Sequence, residues 1–151
     1  MEQIKMMLVD DEERFLQTTR KLLLKKGYDV LTVTSGAEAL EKLAVHNIHV
    51  VILDVKMPGM DGIAALKEIK RRHPMVEVIM LTGHATVESA VDGLKSGATD
   101  YLMKPTDIDQ LIRKVEEAFE KRQRIEEKIR AAQVRRFMKS PRSIIKESES
   151  F

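Results

Sequence analysis

Five side chains able to do chemistry stand directly behind short apolar runs in this chain of 151 residues. Asp10 and Asp11 follow the run ending at Val9, Asp54 follows Val50 to Leu53, Thr82 follows Val76 to Leu81, and Lys104 follows Thr99 to Met103. If those runs are strands of one sheet, three carboxylates, a hydroxyl and an ammonium converge on one edge. Carboxylates packed together repel, so such a cluster asks for shared protons or a bound divalent cation. Oxygen ligands without imidazole or thiolate favour magnesium or manganese over zinc. A magnesium ion that keeps several waters usually meets a phosphate. Each residue also has a plainer reading on its own: helix cap for Asp10 or Asp11, turn residue for Asp54 and Thr82, surface lysine for Lys104. Their common position at strand ends favours one shared site.

The elements that must position them are legible in the pattern. Ile4 to Val9, Tyr28 to Val33, His49 to Leu53, Val76 to Leu81 and Thr99 to Met103 read as strands. Between them run helical patterns: Phe15, Thr19, Leu22 and Leu23; Ala39, Leu40, Leu43 and Ala44; Ile63, Leu66 and Ile69; Val87, Ala90, Val91 and Leu94. Asp107 opens a fifth helix. Gly27 and Gly97 suit helix ends, Ser35 with Glu38 forms a capping box, Met57-Pro58-Gly59-Met60 is a turn, Asp61 is an N-cap and Pro74 a helix stop. Five strands alternating with five helices require a parallel sheet covered on both faces, a doubly wound α/β fold. Ligands bind such sheets outside the carboxyl ends of the strands, where the five residues lie.

Asp10-Asp11, the run Ile52-Leu53-Asp54-Val55-Lys56-Met57-Pro58-Gly59-Met60-Asp61-Gly62, Thr82 in Leu81-Thr82-Gly83-His84, and Lys104-Pro105 after Tyr101 together resemble the receiver domain of two-component response regulators. The resemblance covers about residues 3 to 120 and is nearest to receivers of the nitrogen-regulation type, which normally precede an ATPase and a DNA-binding domain; neither is expected within these 151 residues. It implies a flavodoxin-like five-stranded sheet in the order 2-1-3-4-5. It implies that Asp54 is the phosphoacceptor, attacking a phosphohistidine of a sensor histidine kinase or phosphotransfer protein. Asp11 and Asp54 would bind Mg2+ directly, Asp10 largely through water, and the backbone carbonyl of Lys56 would add a ligand. Lys104 and Thr82 would each meet a phosphoryl oxygen. Thr82 and Tyr101 would form the switch that reshapes the surface of the fourth helix, fifth strand and fifth helix. Lys104-Pro105 resembles the family's cis peptide. Such a protein is not an enzyme on other substrates; it catalyses only its own phosphorylation and dephosphorylation.

Other readings of the same fold fare worse. A magnesium-dependent phosphatase or phosphotransferase acting on small molecules would want a second acid two residues after its nucleophile, where Lys56 stands. A flavodoxin-like electron carrier would want a hydroxyl-rich phosphate cradle in the first loop, which instead holds acids. His84 and Lys56 overhang the site. His46, His49 and His73 lack metal spacing and read as surface or turn residues, and Met6, Met7 and Met80 as core.

The formal net charge of +2 conceals an asymmetry: residues 1 to 109 carry 14 Lys and Arg against 17 Asp and Glu, and 110 to 151 carry 12 against 7. Ile108, Leu111, Val115, Ala118, Ile125, Ile129 and Ala132 continue a 3-4 spacing past the fifth helix's own domain, broken by Arg122. The division is therefore a receiver at 1–120 and a basic helical extension at 121–151, ended as a helix by Ser140-Pro141-Arg142-Ser143 and frayed beyond. Weak coiled-coil homodimerisation is favoured over a lone charged helix. With no helix-turn-helix, no stacking aromatics and Glu126 and Glu127 within the basic run, direct nucleic-acid binding is not expected. Zero cysteines exclude a disulfide framework, a thiolate nucleophile and a cysteine zinc site. The apolar runs fall far short of the roughly 20 residues of a membrane span, and no signal peptide opens the chain, so a cytoplasmic location is expected.

Overall fold

The computed structural model of the protein describes residues 3–55, 61–83 and 87–139. The Met57-Pro58-Gly59-Met60 turn, Lys56, His84 and the Ser140-Pro141-Arg142-Ser143 break lie outside the described residues. In chain order the elements are β1 (Met6–Val9), α1 (Glu13–Lys25), β2 (Val30–Val33), α2 (Gly36–Val45), β3 (Val50–Leu53), α3 (Gly62–Arg72), β4 (Glu77–Thr82), α4 (Val87–Lys95), β5 (Asp100–Met103) and α5 (Ile108–Lys139). All strand pairings are parallel, in the order β2-β1-β3-β4-β5.

The unbroken apolar character of the central strands follows from burial on both faces. Met7, Val9, Val51 and Leu53 point to the side covered by α2 and α3, where they meet Ala39, Leu40, Leu66 and Ile69. Their neighbours Met6, Leu8, Val50 and Ile52 point the other way, onto Leu16 and Leu23 of α1 and Leu111 and Val115 of α5. Local signals set the helix ends. Ser35 accepts the Glu38 N–H at 3.1 Å while the Glu38 carboxylate accepts the Thr34 N–H, and Asp61 accepts the Ala64 N–H at 2.8 Å. Gly27 and Gly97 have φ of 89° and 109°, the left-handed conformation that stops α1 and α4.

Three sequence expectations need correction. The apolar pattern that marks α4, expected to help cover the sheet, is largely exposed: Val87 is 83%, Leu94 48% and Val91 40% accessible. The helix approaches the sheet through Gly93, whose Cα side faces Met80 and Ile63, and this turns the larger residues outward. On α1 the inward positions are Leu16, Thr19 and Leu23, and Leu22 is exposed. His49 is buried, because α5 covers the start of β3: its ring lies edge-on to Phe119 at 5.0 Å and its Nδ1 accepts the Lys5 N–H at 2.9 Å.

The fifth helix runs without interruption through residue 120. Just beyond, the Arg122 guanidinium donates to the Ile48 carbonyl at 3.1 Å and to Glu126 at 2.8 Å. Lys121 lies 3.6 Å from the buried carboxylate of Glu77, which also accepts the Thr99 hydroxyl.

Candidate functional site

Parallel ladder bonds carry on one residue past the strands and hold the polar residues in place. The Asp10 N–H donates to the Val33 carbonyl at 3.1 Å, the Asp54 N–H to the Val9 carbonyl at 3.0 Å, and the Lys104 N–H to the Thr82 carbonyl at 2.9 Å. The backbone of each is thereby fixed by the neighbouring strand before its side chain does anything. Asp10, Asp54 and Thr82 are buried, and Asp11 is exposed at the rim.

One oxygen from each of Asp10, Asp11 and Asp54 can be chosen such that all three lie within 4.8 Å of one another. Lys104 reaches into this group. Its Nζ is 2.6 Å from Asp10 Oδ2, 3.9 Å from Asp54 Oδ2 and 3.8 Å from Glu12 Oε1. The other Asp10 oxygen accepts the Glu12 N–H at 2.9 Å, so the first acidic turn is fastened onto its own carboxylate. Asp10, Asp11 and Asp54 against the one ammonium leave a formal charge of −2 before Glu12 is counted. An all-oxygen donor set with that deficit fits a hard divalent cation such as magnesium. The peptide bond between Lys104 and Pro105 is cis.

Tyr101 is half-buried on β5, its hydroxyl 3.2 Å from Ser89 Oγ on α4. Val87 and Leu94 of α4 and Met103 of β5 are exposed apolar residues on the same two elements.

Asp10, Asp11, Asp54 and Lys104 thus meet, with Thr82 at the end of the adjoining strand. Sequence reasoning missed three neighbours. Glu12 adds a charge beside Lys104. Phe15, read only as a core residue, presents its ring to the Lys104 ammonium, 4.0 Å from the centroid. Gly62 passes so close behind Asp54 that a Cβ there would stand 2.3 Å from the Asp54 carbonyl oxygen. Gly62 has a local signal, a glycine in the first turn of a helix; Phe15 and Lys104 are joined only by the fold.

An open parallel sheet with acids, a hydroxyl and a lysine at its carboxyl edge makes this a doubly wound α/β protein whose polar edge suits a divalent cation and a phosphate. The response regulator receiver domain family model matches residues 6–116, and the chain belongs to that family, the phosphoacceptor modules of two-component signalling. It is 44% identical over 111 residues to the DNA-binding transcriptional regulator NtrC of Escherichia coli (strain K12), covering 74% of this chain and 24% of the relative. The transcriptional regulatory protein ZraR of the same strain is 43% identical over 115 residues, covering 76% and 26%. The chain therefore spans about a quarter of the length of these curated relatives. Among solved structures, the receiver domain of NtrX from Brucella abortus matches with a TM-score of 0.72 at 34% identity, covering 76% of this chain and 98% of that one. A CheY-like receiver domain protein from Methanospirillum hungatei JF-1 matches with a TM-score of 0.77 at 29% identity, covering 82% and 98%. Nothing in these likenesses favours the small-molecule phosphatase reading. Among the described residues no helix is long and apolar enough to cross a membrane.

Proposed function

We propose that Asp54 takes a phosphoryl group from the phosphohistidine of a sensor histidine kinase or phosphotransfer protein. An Asp54 carboxylate oxygen bonds to phosphorus as the phosphorus–nitrogen bond breaks, and the electron pair and then a proton go to the departing imidazole. Such transfers pass through a loosely bonded, charge-rich state, so the protein mainly positions and neutralises. Asp11 and Asp54, with Asp10 through water and the Lys56 carbonyl, would hold Mg2+, which supplies charge neutralisation at the phosphoryl oxygens when bound. Lys104 donates to a phosphoryl oxygen and Thr82 donates its hydroxyl to another. The observation that carries this reading is the ammonium of Lys104, held against Asp10 yet only 3.9 Å from Asp54.

The new group adds roughly 1.5 to 2 negative charges and three acceptor oxygens. Thr82 moves toward it, Tyr101 leaves Ser89 and turns inward, and the exposed face of α4, β5 and α5 changes shape. That face addresses a downstream protein. Residues 1–120 act as the receiver and 121–151 as an extension that pairs weakly with a second copy. The protein works in the cytoplasm, turns over no phosphate but its own, and its extension does not read nucleic acid directly.

The deciding experiment is labelling with acetyl phosphate or a phosphorylated histidine donor in Mg2+. The wild-type chain takes one equivalent of acid-labile phosphate; Asp54→Asn folds and takes none. Wild-type labelling of that variant would remove Asp54 from the role.

A further inference from the structure

We propose that Phe15 is a positioning residue for Lys104, holding its ammonium where it can pass from Asp10 to a phosphoryl oxygen on Asp54; this rests on the phosphoacceptor reading above. Lysine carries a compact charge with three donors on a flexible four-carbon stem. Left to itself, such a group follows the nearest carboxylate, and three lie within reach at 2.6, 3.8 and 3.9 Å. The side chain of Lys104 is nevertheless only 16% accessible.

What closes the remaining side is the face of Phe15, 4.0 Å from Nζ to the ring centroid. The negative face of an aromatic ring attracts a cation without offering it an oxygen, so it restrains the ammonium while leaving its N–H groups for carboxylate and phosphoryl oxygens. The position is set from both directions. Phe15 lies in the first turn of α1, directly after the acidic turn that Asp10 fastens, and it packs against the core shared by α1 and α5. Lys104 is tied through its backbone to Thr82 on β4. Ring and ammonium therefore meet from two separately anchored elements. The contact confines Lys104 to a short swing between Asp10 and Asp54 and denies it the path toward solvent beyond Glu12.

The ring's contribution can be separated from simple packing by substituting Leu or Met, which fill space without a π face, and Tyr, which keeps it. Proton NMR of the full chain gives a direct readout on the Lys104 ε-methylene and ζ protons, because the ammonium they belong to or adjoin lies over the ring. They are expected upfield in the wild type and in Phe15→Tyr, and near ordinary lysine positions in Phe15→Leu and Phe15→Met. Affinity for beryllofluoride in Mg2+, a phosphoryl mimic, should fall roughly five-fold in the Leu and Met variants, the scale of one partly desolvated cation–π contact. It should return in Phe15→Tyr, with Mg2+ affinity unchanged throughout. Wild-type beryllofluoride affinity in both aliphatic variants, or an equal loss in Phe15→Tyr, overturns the proposal and leaves the phosphoacceptor reading intact. A wild-type chain that binds no beryllofluoride overturns both.

Discussion

Gly62 and Asp54 are locked together through the backbone. A Cβ on Gly62 would stand 2.3 Å from the Asp54 carbonyl oxygen and 2.5 Å from Val55 Cα, while the Gly62 N–H donates to the Val55 carbonyl at 2.7 Å. The start of α3 thus forms the wall behind the proposed acceptor aspartate. Gly62→Ala cannot be housed without moving that turn, since the colliding atoms are backbone. It should cost about 1–3 kcal/mol, the range of overpacking in a tight interior, and slow labelling of Asp54. Urea unfolding and acetyl phosphate labelling of the same preparation measure both; an unshifted midpoint would contradict the close approach.

The three clustered carboxylates repel one another when no divalent cation is present, so removing one charge should stabilise the metal-free fold. Asp54→Asn is expected to be more stable than wild type in EDTA, by on the order of 1 kcal/mol after the lost attraction to Lys104 is counted. Addition of Mg2+ should raise its melting temperature less than it raises that of the wild type. Thermal melts in EDTA and in Mg2+ test this, and equal Mg2+ responses would place the cation elsewhere.

Lys104→Met should act in the opposite direction. Asp10 is buried and its Oδ2 is held by Lys104 at 2.6 Å, so the substitution strands a carboxylate without its counter-charge. Breaking a buried pair from one side typically costs about 3–5 kcal/mol. Mg2+ should recover part of that loss, because it supplies positive charge to the same carboxylates. Denaturant curves with and without Mg2+ provide the check; a variant as stable as wild type in EDTA would show that the pair contributes little.

These charges were easy to find in the sequence because each ends an apolar run, and a buried parallel strand advertises itself by that run. The fold was legible for the same reason, helped by Ser35, Asp61, Gly27 and Gly97, whose types suit one local conformation each. Periodicity reports which face of a helix is apolar, not whether anything covers it. Hence the apolar pattern of α4 suggests cover for the sheet, although Gly93 is the residue that reaches it. His49 could not be placed from its neighbours, since what buries it is Phe119, 70 positions away along the chain. The contact of Phe15 with Lys104 is hidden for the same reason, whereas Gly62 stood in plain view without a role until the backbone of Asp54 was beside it.

One ion pair beside the proposed switch surface gives a pH dependence of definite sign. Lys114 on α5 donates to Asp100 at the start of β5, at 2.9 Å, and this hydrogen bond, reinforced by the carboxylate's charge, raises the lysine's pKa above its ordinary 10.5. A base whose folded pKa is raised binds its proton more tightly in the fold. Its stabilisation is complete below 10.5 and disappears as pH rises through the higher folded value. The pair is half-exposed, so its contribution is small, about 0.2–1 kcal/mol. The stability difference between wild type and Lys114→Met should be constant near neutrality and shrink only above about pH 10.5. A gap that closes already at neutral pH would assign it to lost packing.

The last stretch of α5 must find its stability outside the receiver. Lys121 and Arg122 still touch the domain, through Glu77 and the Ile48 carbonyl, and beyond them the helix continues to Lys139. As a continuation of α5 this stretch needs no nucleus of its own, but most helical stability in proteins comes from packing an apolar face, and beyond Arg122 the domain supplies none. Ile125, Ile129 and Ala132 keep a 4-3 spacing along it, with Ile129 47% accessible, so a second copy can supply the missing face. The apolar seam is short, and Arg136 follows it at the next seam position, so pairing should be weak and concentration-dependent. Light scattering of the full chain should give a mass between monomer and dimer that rises with concentration and with beryllofluoride. Ile125→Glu combined with Ile129→Glu, or a chain ending at residue 124 that keeps Lys121 and Arg122, should remain monomeric in both conditions. A full chain whose mass does not respond to beryllofluoride would rule out phosphorylation-controlled dimerisation, and one that stays monomeric at every concentration would leave the extension as a lone charged helix.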